Sequence, residues 1–157
     1  MSTIDLKDVH FVDEAGCNNN EAYAYGWSKR GTRLHALRPG CKTKRINIIG
    51  ALNKNQFNAP FIFEGSCNTS VFIIWLQQVL IPTLKPKQYV VLDNATFHKS
   101  SLIRAIIEKA GCFLIYLPPY SPDFNPIEHY WYKFKNALRK KLIECEFNIM
   151  EAVETLF

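Results

Sequence analysis

Apolar residues in the second half of the chain form short continuous runs, separated by segments in which they recur at helical spacing. The runs at 88–93 and 112–117 are typical of strands that are buried on both faces. Ser100 or Ser101 can cap a helix between these strands, and Gly111 can end it. Strands that alternate with helices pair in parallel through right-handed crossovers, which is the pairing that we predict for this half.

The first half has a different pattern, in which short strands alternate with turn-forming residues. Residues 9–13 form an apolar strand that ends on a carboxylate, and the segment 15–20, rich in asparagine, is a predicted turn. The alternating aromatic segment 22–28 is predicted to return as the second strand of an antiparallel hairpin. Residues 45–52 form a third strand, and 61–63 can extend the sheet.

Two further helices complete the pattern. Thr69 or Ser70 can cap a helix that runs from 71 to about 81, and an amphipathic helix is predicted from 127 to about 143. The order is therefore strand, strand, strand, helix, strand, helix, strand, helix. We predict an α/β fold with a mixed five-stranded sheet and helices on both faces, in a single domain over residues 1–157.

Composition removes several classes of protein. The 157 residues are 48% apolar, which excludes a disordered chain. No run of about 18 apolar residues exists, so we expect no membrane-spanning helix. The N-terminal sequence is charged, so we expect no secretory signal and a cytoplasmic location. Nineteen Lys and Arg against fourteen Asp and Glu give a net charge of +5, which favours a polyanionic partner. The five scattered cysteines are expected to be reduced thiols.

Three acidic residues stand at matching ends of their predicted elements. Asp13 and Asp93 end two strands, and active sites in open α/β sheets gather beyond the carboxyl ends of strands. If the two strands are parallel neighbours, their carboxylates lie about 5 Å apart. Glu128 lies in the first turn of the last helix, separated from Asp93 by the 34 residues 94–127. A stiff, proline-rich loop before that helix can fix where the helix begins.

Converging carboxylates repel one another unless they hold cations. Mg²⁺ prefers oxygen ligands, and two Mg²⁺ ions about 3.5–4 Å apart can activate a nucleophile and stabilise a leaving oxygen at a phosphodiester. Each acid alone is equally well explained as a turn former or as a complement to a helix dipole. Together they favour a metal site. Without metal, at least one acid should have a raised pKa, and Asn in place of Asp93 should relieve the repulsion.

The sequences around these acids resemble the three acidic motifs of mariner-related bacterial insertion-sequence transposases. The motifs are Phe-Val-Asp-Glu-Ala-Gly at 11–16, Val-Leu-Asp-Asn-Ala-Thr-Phe-His at 91–98, and Leu-Pro-Pro-Tyr-Ser-Pro-Asp-Phe-Asn-Pro-Ile-Glu at 117–128. The third motif is long and specific, and the 34-residue spacing is typical of the group. The resemblance covers about residues 9 to 142. It implies an RNase H-like fold and two Mg²⁺ ions, replaceable by Mn²⁺, held by Asp13, Asp93 and Glu128.

The resemblance also implies an activity, that of the catalytic domain of a DDE transposase. Such a domain is a Mg²⁺-dependent endonuclease and strand transferase that acts on transposon ends and target DNA. Only twelve residues precede Asp13, so we expect the N-terminal helix-turn-helix region to be absent. A homodimer and a separate N-terminal DNA-recognition polypeptide are the protein partners that this hypothesis allows, at the bacterial nucleoid. Two other hypotheses remain: an RNase H-like nuclease with another substrate, and a catalytically silent remnant that binds DNA or dimerises.

Residues beside the acids are candidates for supporting roles. Asn94 can orient Asp93 or hydrogen-bond its own turn. His98 can lie near the metals or the scissile phosphate, or it can cap the next helix. Glu14 follows Asp13 directly, and consecutive strand residues point to opposite faces, so only one of them can join the cluster. The resemblance selects Asp13.

The last predicted helix divides into two stripes. Its core stripe consists of Ile127, Trp131, Phe134, Leu138 and Leu142. The stripe beside it continues from Glu128 to Tyr132, Lys135 and Arg139. These three residues can meet bases or phosphates of DNA, and they can equally form a solvated basic face.

Overall fold

The structure, a computed structural model, describes residues 4–20, 29–31, 44–119 and 124–157. In these residues one sheet has the strand order β3-β2-β1-β4-β5. The strands are β1 (Val9–Asn18), β2 (Arg45–Asn53), β3 (Gln56–Phe63), β4 (Tyr89–Leu92) and β5 (Phe113–Tyr116). The first three strands pair antiparallel, whereas β4 is parallel to both β1 and β5. This arrangement confirms the predicted mixed five-stranded sheet.

The first half of the sheet differs from the prediction in its strands. β1 continues to Asn18, through the segment predicted as a turn, and its antiparallel partner is β2. The reason is burial, because Ala15 and Cys17 point into the core and outweigh the turn-forming composition around them. β3 completes the set of five strands, and only its residues 61–63 were anticipated. The predicted strand 22–28 lies outside the described residues.

Four α-helices among the described residues cover the two faces of the sheet. They are α1 (Thr69–Trp75), α2 (Ser101–Lys109), α3 (Ile127–Glu144) and α4 (Ile149–Glu154). α1 is capped by Asn68, whose side chain accepts a hydrogen bond from Val71 N at 3.0 Å, and not by Thr69 or Ser70. After α1 the chain continues in π-helical and 3₁₀ turns to Thr83. The short helix α4 was not anticipated.

The sheet separates two hydrophobic cores. On one face, α1 and α2 pack over Val12 and Leu92, and the buried indole of Trp75 donates a hydrogen bond to Ala59 O at 2.8 Å. On the other face, α3 and α4 pack over Ala15 and Ile48. All five residues of the predicted core stripe of α3 are buried, which confirms that assignment. The described cysteines form no disulfide.

No helix among the described residues is long and apolar enough to cross a lipid bilayer.

Candidate active site

A cleft beyond the end of the β1–β4 ladder is lined by the three predicted acids. The ladder ends where Phe11 pairs with Val91, two residues before Asp13, which lies within β1, and Asp93, which follows β4. The cleft has a volume of about 430 Å³. Its walls are Asp13, Asp93, Asn94, Ala95, Lys99, Leu117, Pro118, Pro119, Asn125 and Glu128.

Asp13 is the acid whose ionisation is most strongly opposed. Burial raises the pKa of Asp13 to about 7, and the negative charges of Glu14, Glu128 and Asp93 act in the same direction. Its Oδ2 accepts a hydrogen bond from Nε1 of Trp131, at 3.1 Å, which ties the acid to α3. The expectation that at least one acid has a raised pKa is therefore confirmed.

Asp93 behaves in the opposite way. Its Oδ1 accepts hydrogen bonds from Nδ1 of His98 at 2.5 Å and from the backbone N–H of Ala95 at 3.0 Å. These bonds, the one from His98 foremost, lower the pKa of Asp93. The expectation that Asn at this position relieves repulsion is therefore wrong, because the substitution would remove the negative charge that faces a buried imidazole. Oδ2 of Asp93 has no hydrogen-bond partner among the described residues.

Glu128 and Asn125 form the third wall of the cleft. Glu128 is exposed in the first turn of α3, and its backbone N–H bonds to Asn125 O at 3.1 Å. The Asn125 side chain is only 5% exposed, and its Oδ1 has no hydrogen-bond partner. A buried acceptor left in this state costs about 1–3 kcal/mol unless a ligand satisfies it.

The donor set of the cleft fits a hard divalent cation, because carboxylate and amide oxygens are the ligands that Mg²⁺ and Mn²⁺ take. A bound cation would favour the ionised form of Asp13, and the cation or its water could satisfy the Oδ1 of Asn125. In the described part of the chain, however, no three His, Cys, Asp or Glu side chains are grouped closely enough to hold a metal ion. The acids surround the cleft without converging on one point.

His98 lies behind Asp93 and does not line the cleft. Its side chain is completely buried, and Nε2 lies 3.1 Å from Oε1 of Glu14. Burial opposes protonation of His98, but the hydrogen bonds to Asp93 and Glu14 outweigh it and raise the pKa of His98 to about 9. The alternative role as a helix cap is wrong, since Ser100 accepts the bond from Leu102 N that caps α2.

Asn94 lines the cleft, and its two anticipated roles stay predictions. The Asp93 carboxylate accepts a hydrogen bond in this turn from the backbone of Ala95.

Glu14 and Lys99 are the residues that sequence reasoning missed. Glu14 does point away from the face of Asp13, as alternation predicts, and on that side it meets His98. Sγ of Cys67 also lies 3.6 Å from Oε1 of Glu14, and burial followed by this negative charge raises the pKa of the Cys67 thiol to about 12. Lys99 is the cation among the described residues of the cleft wall. The adjacent acids at 13–14 and the histidine five residues after Asp93 were the available signal.

The second stripe of α3 lies on the surface beside the cleft and not in it. Tyr132 is 66% exposed, and Lys135 and Arg139 are half-buried. Nη1 of Arg139 donates to Oδ1 of Asn136 at 2.8 Å. Helical spacing nevertheless places Glu128 and Tyr132 on the same side of α3, so the wall of the cleft continues along this stripe.

The strand order of the sheet and the helices on its two faces match an RNase H-like fold. Two Mos1 structures, the strand transfer complex and the mariner paired end complex with Mg, superpose with a TM-score of 0.65 at 17% and 16% identity. They cover 83% and 94% of this chain, which spans 41% and 50% of theirs. The catalytic core domain of BIV integrase superposes with a TM-score of 0.59 at 15% identity, over 94% of this chain and 79% of its own.

The sequence also matches a family. The model of the DDE superfamily endonucleases matches residues 8–149, and the chain belongs to this family. It is also 24% identical, over 134 residues, to the uncharacterized 39 kDa protein of insertion element IS630 from Shigella sonnei. That match covers 84% of this chain and 39% of the relative, so the chain spans about two fifths of the relative's length.

Proposed function

We propose that this protein is the catalytic domain of a transposase that cleaves DNA strands and transfers the freed 3′ ends to target DNA. The observation that carries the proposal is the cleft, which is lined by Asp13 of β1, Asp93 after β4 and Glu128 in the first turn of α3. Membership of the DDE superfamily endonucleases and the likeness to the Mos1 strand transfer complex support it.

Asp13, Asp93 and Glu128 would hold two Mg²⁺ ions, with Mn²⁺ as a substitute. The Mos1 paired end complex with Mg supports this choice of ion. When bound, such ions activate an attacking hydroxyl and stabilise the leaving oxygen of a phosphodiester. The Oδ1 of Asn125 is a further oxygen that an ion or its bound water can satisfy.

The protein's own groups prepare this cleft for a charged ligand. Trp131 holds one oxygen of Asp13, and His98 with the backbone of Ala95 holds one oxygen of Asp93. With a pKa of about 7, Asp13 is partly protonated near neutrality, and a bound cation would displace that proton. Asn94 and Lys99 line the same cleft and would contact the phosphate that is cut.

The proposed DNA path follows α3 from the cleft along Tyr132, Lys135 and Arg139. An aromatic ring can stack on a base, and the two cations can contact phosphates. Recognition of transposon ends is proposed to need a separate N-terminal polypeptide, and strand transfer to need a homodimer. The strand transfer complex and paired end complex of Mos1 are the support for DNA as the partner.

The test is nicking of supercoiled plasmid by the purified protein in Mg²⁺, Mn²⁺ or chelator. Asp13→Asn, Asp93→Asn and Glu128→Gln should each abolish metal-dependent nicking while circular dichroism shows an unchanged fold. Glu144→Gln is the matched control, because Glu144 is an exposed acid at the far end of the same helix, 2.6 Å from Lys141.

Three results would contradict the proposal. A folded Asp93→Asn protein that nicks at the wild-type rate would remove the acid from the chemistry. Cleavage of RNA–DNA hybrid in preference to duplex DNA would favour an RNase H-like nuclease with another substrate. Metal-independent binding without any nicking would favour the silent remnant.

A further inference from the structure

Backbone pairing between β1 and β4 does not fix the separation of Asp13 and Asp93. The β1–β4 ladder runs from the Val9–Tyr89 pair to the Phe11–Val91 pair and stops two residues before Asp13 and Asp93. β1 continues as a strand beyond this point, but it does so paired to β2 on its other side. Some other contact must therefore hold the part of β1 that carries Asp13 in position against the end of β4.

His98 bridges β1 and the residue that follows β4, beyond the last pair of the β1–β4 ladder. Its two ring nitrogens contact carboxylates from both sides, Nδ1 with Asp93 Oδ1 at 2.5 Å and Nε2 with Glu14 Oε1 at 3.1 Å. Glu14 is the residue next to Asp13 in β1, and 84 positions separate it from His98. The bridge therefore joins the backbone that carries Asp13 to the carboxylate of Asp93.

The imidazole is itself held tightly. It has no solvent exposure, and its ring packs against Phe72 and Phe97 at centroid distances of 4.5 Å and 4.2 Å. The His98 carbonyl accepts a hydrogen bond from the Tyr116 hydroxyl at 2.7 Å, and its N–H bonds to Ala95 O at 3.1 Å. A ring fixed by packing and by backbone contacts can transmit position from β1 to Asp93.

We propose that Glu14 and His98 are positioning residues that together hold Asp93 in register with Asp13, so that its Oδ2 faces the cation site. This inference rests on the proposed function, because it assigns the pair to the metal-binding acids of that site. Neither Glu14 nor His98 is among the residues that line the cleft, so they act through Asp93. Hydrogen-bonding partners behind a ligand orient it, and their loss typically costs about 10–100-fold in metal affinity.

The test measures Mn²⁺ binding to the protein alone, by isothermal titration, so that no DNA or turnover is needed. Glu14→Ala and His98→Ala should each weaken Mn²⁺ binding by about 10–100-fold. The double variant should lose little more than either single one, since both remove the same bridge. Glu14→Gln keeps an acceptor for Nε2 of His98, so its affinity should lie closer to wild type than that of Glu14→Ala.

A matched control separates positioning from general stability. His10, like His98, is a buried histidine, and it lies on β1. Its Nε2 contacts Oε1 of Gln88 at 3.2 Å, at the opposite end of the β1–β4 ladder. Gln88→Ala should lower the free energy of unfolding without changing the affinity for Mn²⁺. If Glu14→Ala or His98→Ala does not fold, Glu14→Leu replaces it, because it fills the space of Glu14 without an acceptor for Nε2 of His98 and should weaken Mn²⁺ binding whereas Gln88→Ala should not.

The outcomes are distinguishable. Wild-type affinity in folded Glu14→Ala and His98→Ala would overturn the positioning role and leave the proposed function standing. A wild-type protein that binds no Mn²⁺ at millimolar concentration would overturn both. Weakening by Gln88→Ala equal to that by Glu14→Ala would show that the effect is only one of stability, which also overturns the inference.

Discussion

Asp13 and Asp93 both line the cleft, yet their environments push their pKa values in opposite directions. Asp13 is buried among the negative charges of Glu14 and Glu128, whereas Asp93 accepts a hydrogen bond from a buried histidine. Environments that separate two acids in this way are typical of functional sites. A bound cation would remove the cost at Asp13 while leaving the His98 contact of Asp93 in place.

The raised pKa of Asp13 predicts how stability depends on pH without metal. The folded value of about 7 exceeds the unfolded value near 3.8, so the folded state binds more protons between these limits. Its contribution therefore lowers stability as pH rises from about 4 to 7. Asp13→Asn should flatten this slope and be more stable than wild type at pH 7, by about 2 kcal/mol. Urea unfolding in chelator at several pH values checks this, and a variant less stable throughout would contradict it.

His98 predicts the opposite result for Asp93→Asn. The protonated imidazole contributes stability that is fully present below pH 6.5 and is lost as pH rises through about 9. Asp93→Asn weakens this contribution, so the variant should be less stable than wild type at pH 6.5, by about 1–2 kcal/mol after allowance for the exposure of Asp93. The difference between the proteins should shrink by pH 10. Equal unfolding curves at pH 6.5 would show that the short contact contributes no stability.

Asp93 and Glu128 could be predicted because each stands at the end of an element, and element ends are visible in the apolar pattern. The prediction that Asp13 ends its strand is wrong, because β1 continues to Asn18, and Asp13 lies two residues beyond the last pair of the β1–β4 ladder. Glu14 and His98 could not be predicted in the same way. Their contact joins residues 84 positions apart and depends on the direction of a side chain from the 3₁₀ turn Thr96–Lys99. Alternation correctly assigned Glu14 to the other face, but it says nothing of what meets it there.

Helix α3 carries its buried core stripe on one side and the cleft residue Glu128 on the adjacent side. Its buried stripe was fully predictable from spacing, because one apolar residue per turn points at the sheet. Trp131 belongs to that stripe, and its indole N–H reaches Oδ2 of Asp13 at the edge of the core. Periodicity identifies which face of the helix a residue occupies, but it does not identify what the polar atom of that side chain contacts. The extension of β1 through 15–18 was missed for a related reason, since local composition does not record burial by α3.

The Trp131 contact can be tested by removing the indole donor and keeping an aromatic ring. Trp131→Phe should cost about 1 kcal/mol of stability or more, and it should weaken Mn²⁺ binding because Asp13 loses its orienting partner. Trp75→Phe is the matched control, since Nε1 of Trp75 donates to Ala59 O in the core on the other face of the sheet. The control should lose comparable stability with unchanged Mn²⁺ affinity. Equal Mn²⁺ affinities in the two variants would assign Trp131 to packing alone.

The molecule as a whole combines an acidic cleft with a basic excess of +5. Such a distribution suits a polyanion that is attracted by the surface and cut where cations neutralise the carboxylates. The cleft opens at the carboxyl edge of the sheet, with Lys99 in its wall and Lys135 further along α3. Lys109 lies at the opposite edge, in the last turn of α2 just before β5 begins.

This placement predicts which lysines contact DNA. Phosphate contacts dominate such binding, so the affinity for duplex DNA should be tolerant of sequence and fall steeply with salt. Lys99→Gln and Lys135→Gln should each weaken binding to all sequences alike and reduce the slope of log affinity against log salt by about 1. Lys109→Gln carries the same change in net charge and should leave the slope unchanged, because its phosphate contacts would require DNA at the wrong edge of the sheet. Fluorescence anisotropy with terminal-repeat and scrambled duplexes across a salt series measures all three. Equal slopes for the three variants would show that net charge, and not a path along the cleft and α3, governs binding. A preference of about 10³-fold for one sequence would show direct base recognition by this domain.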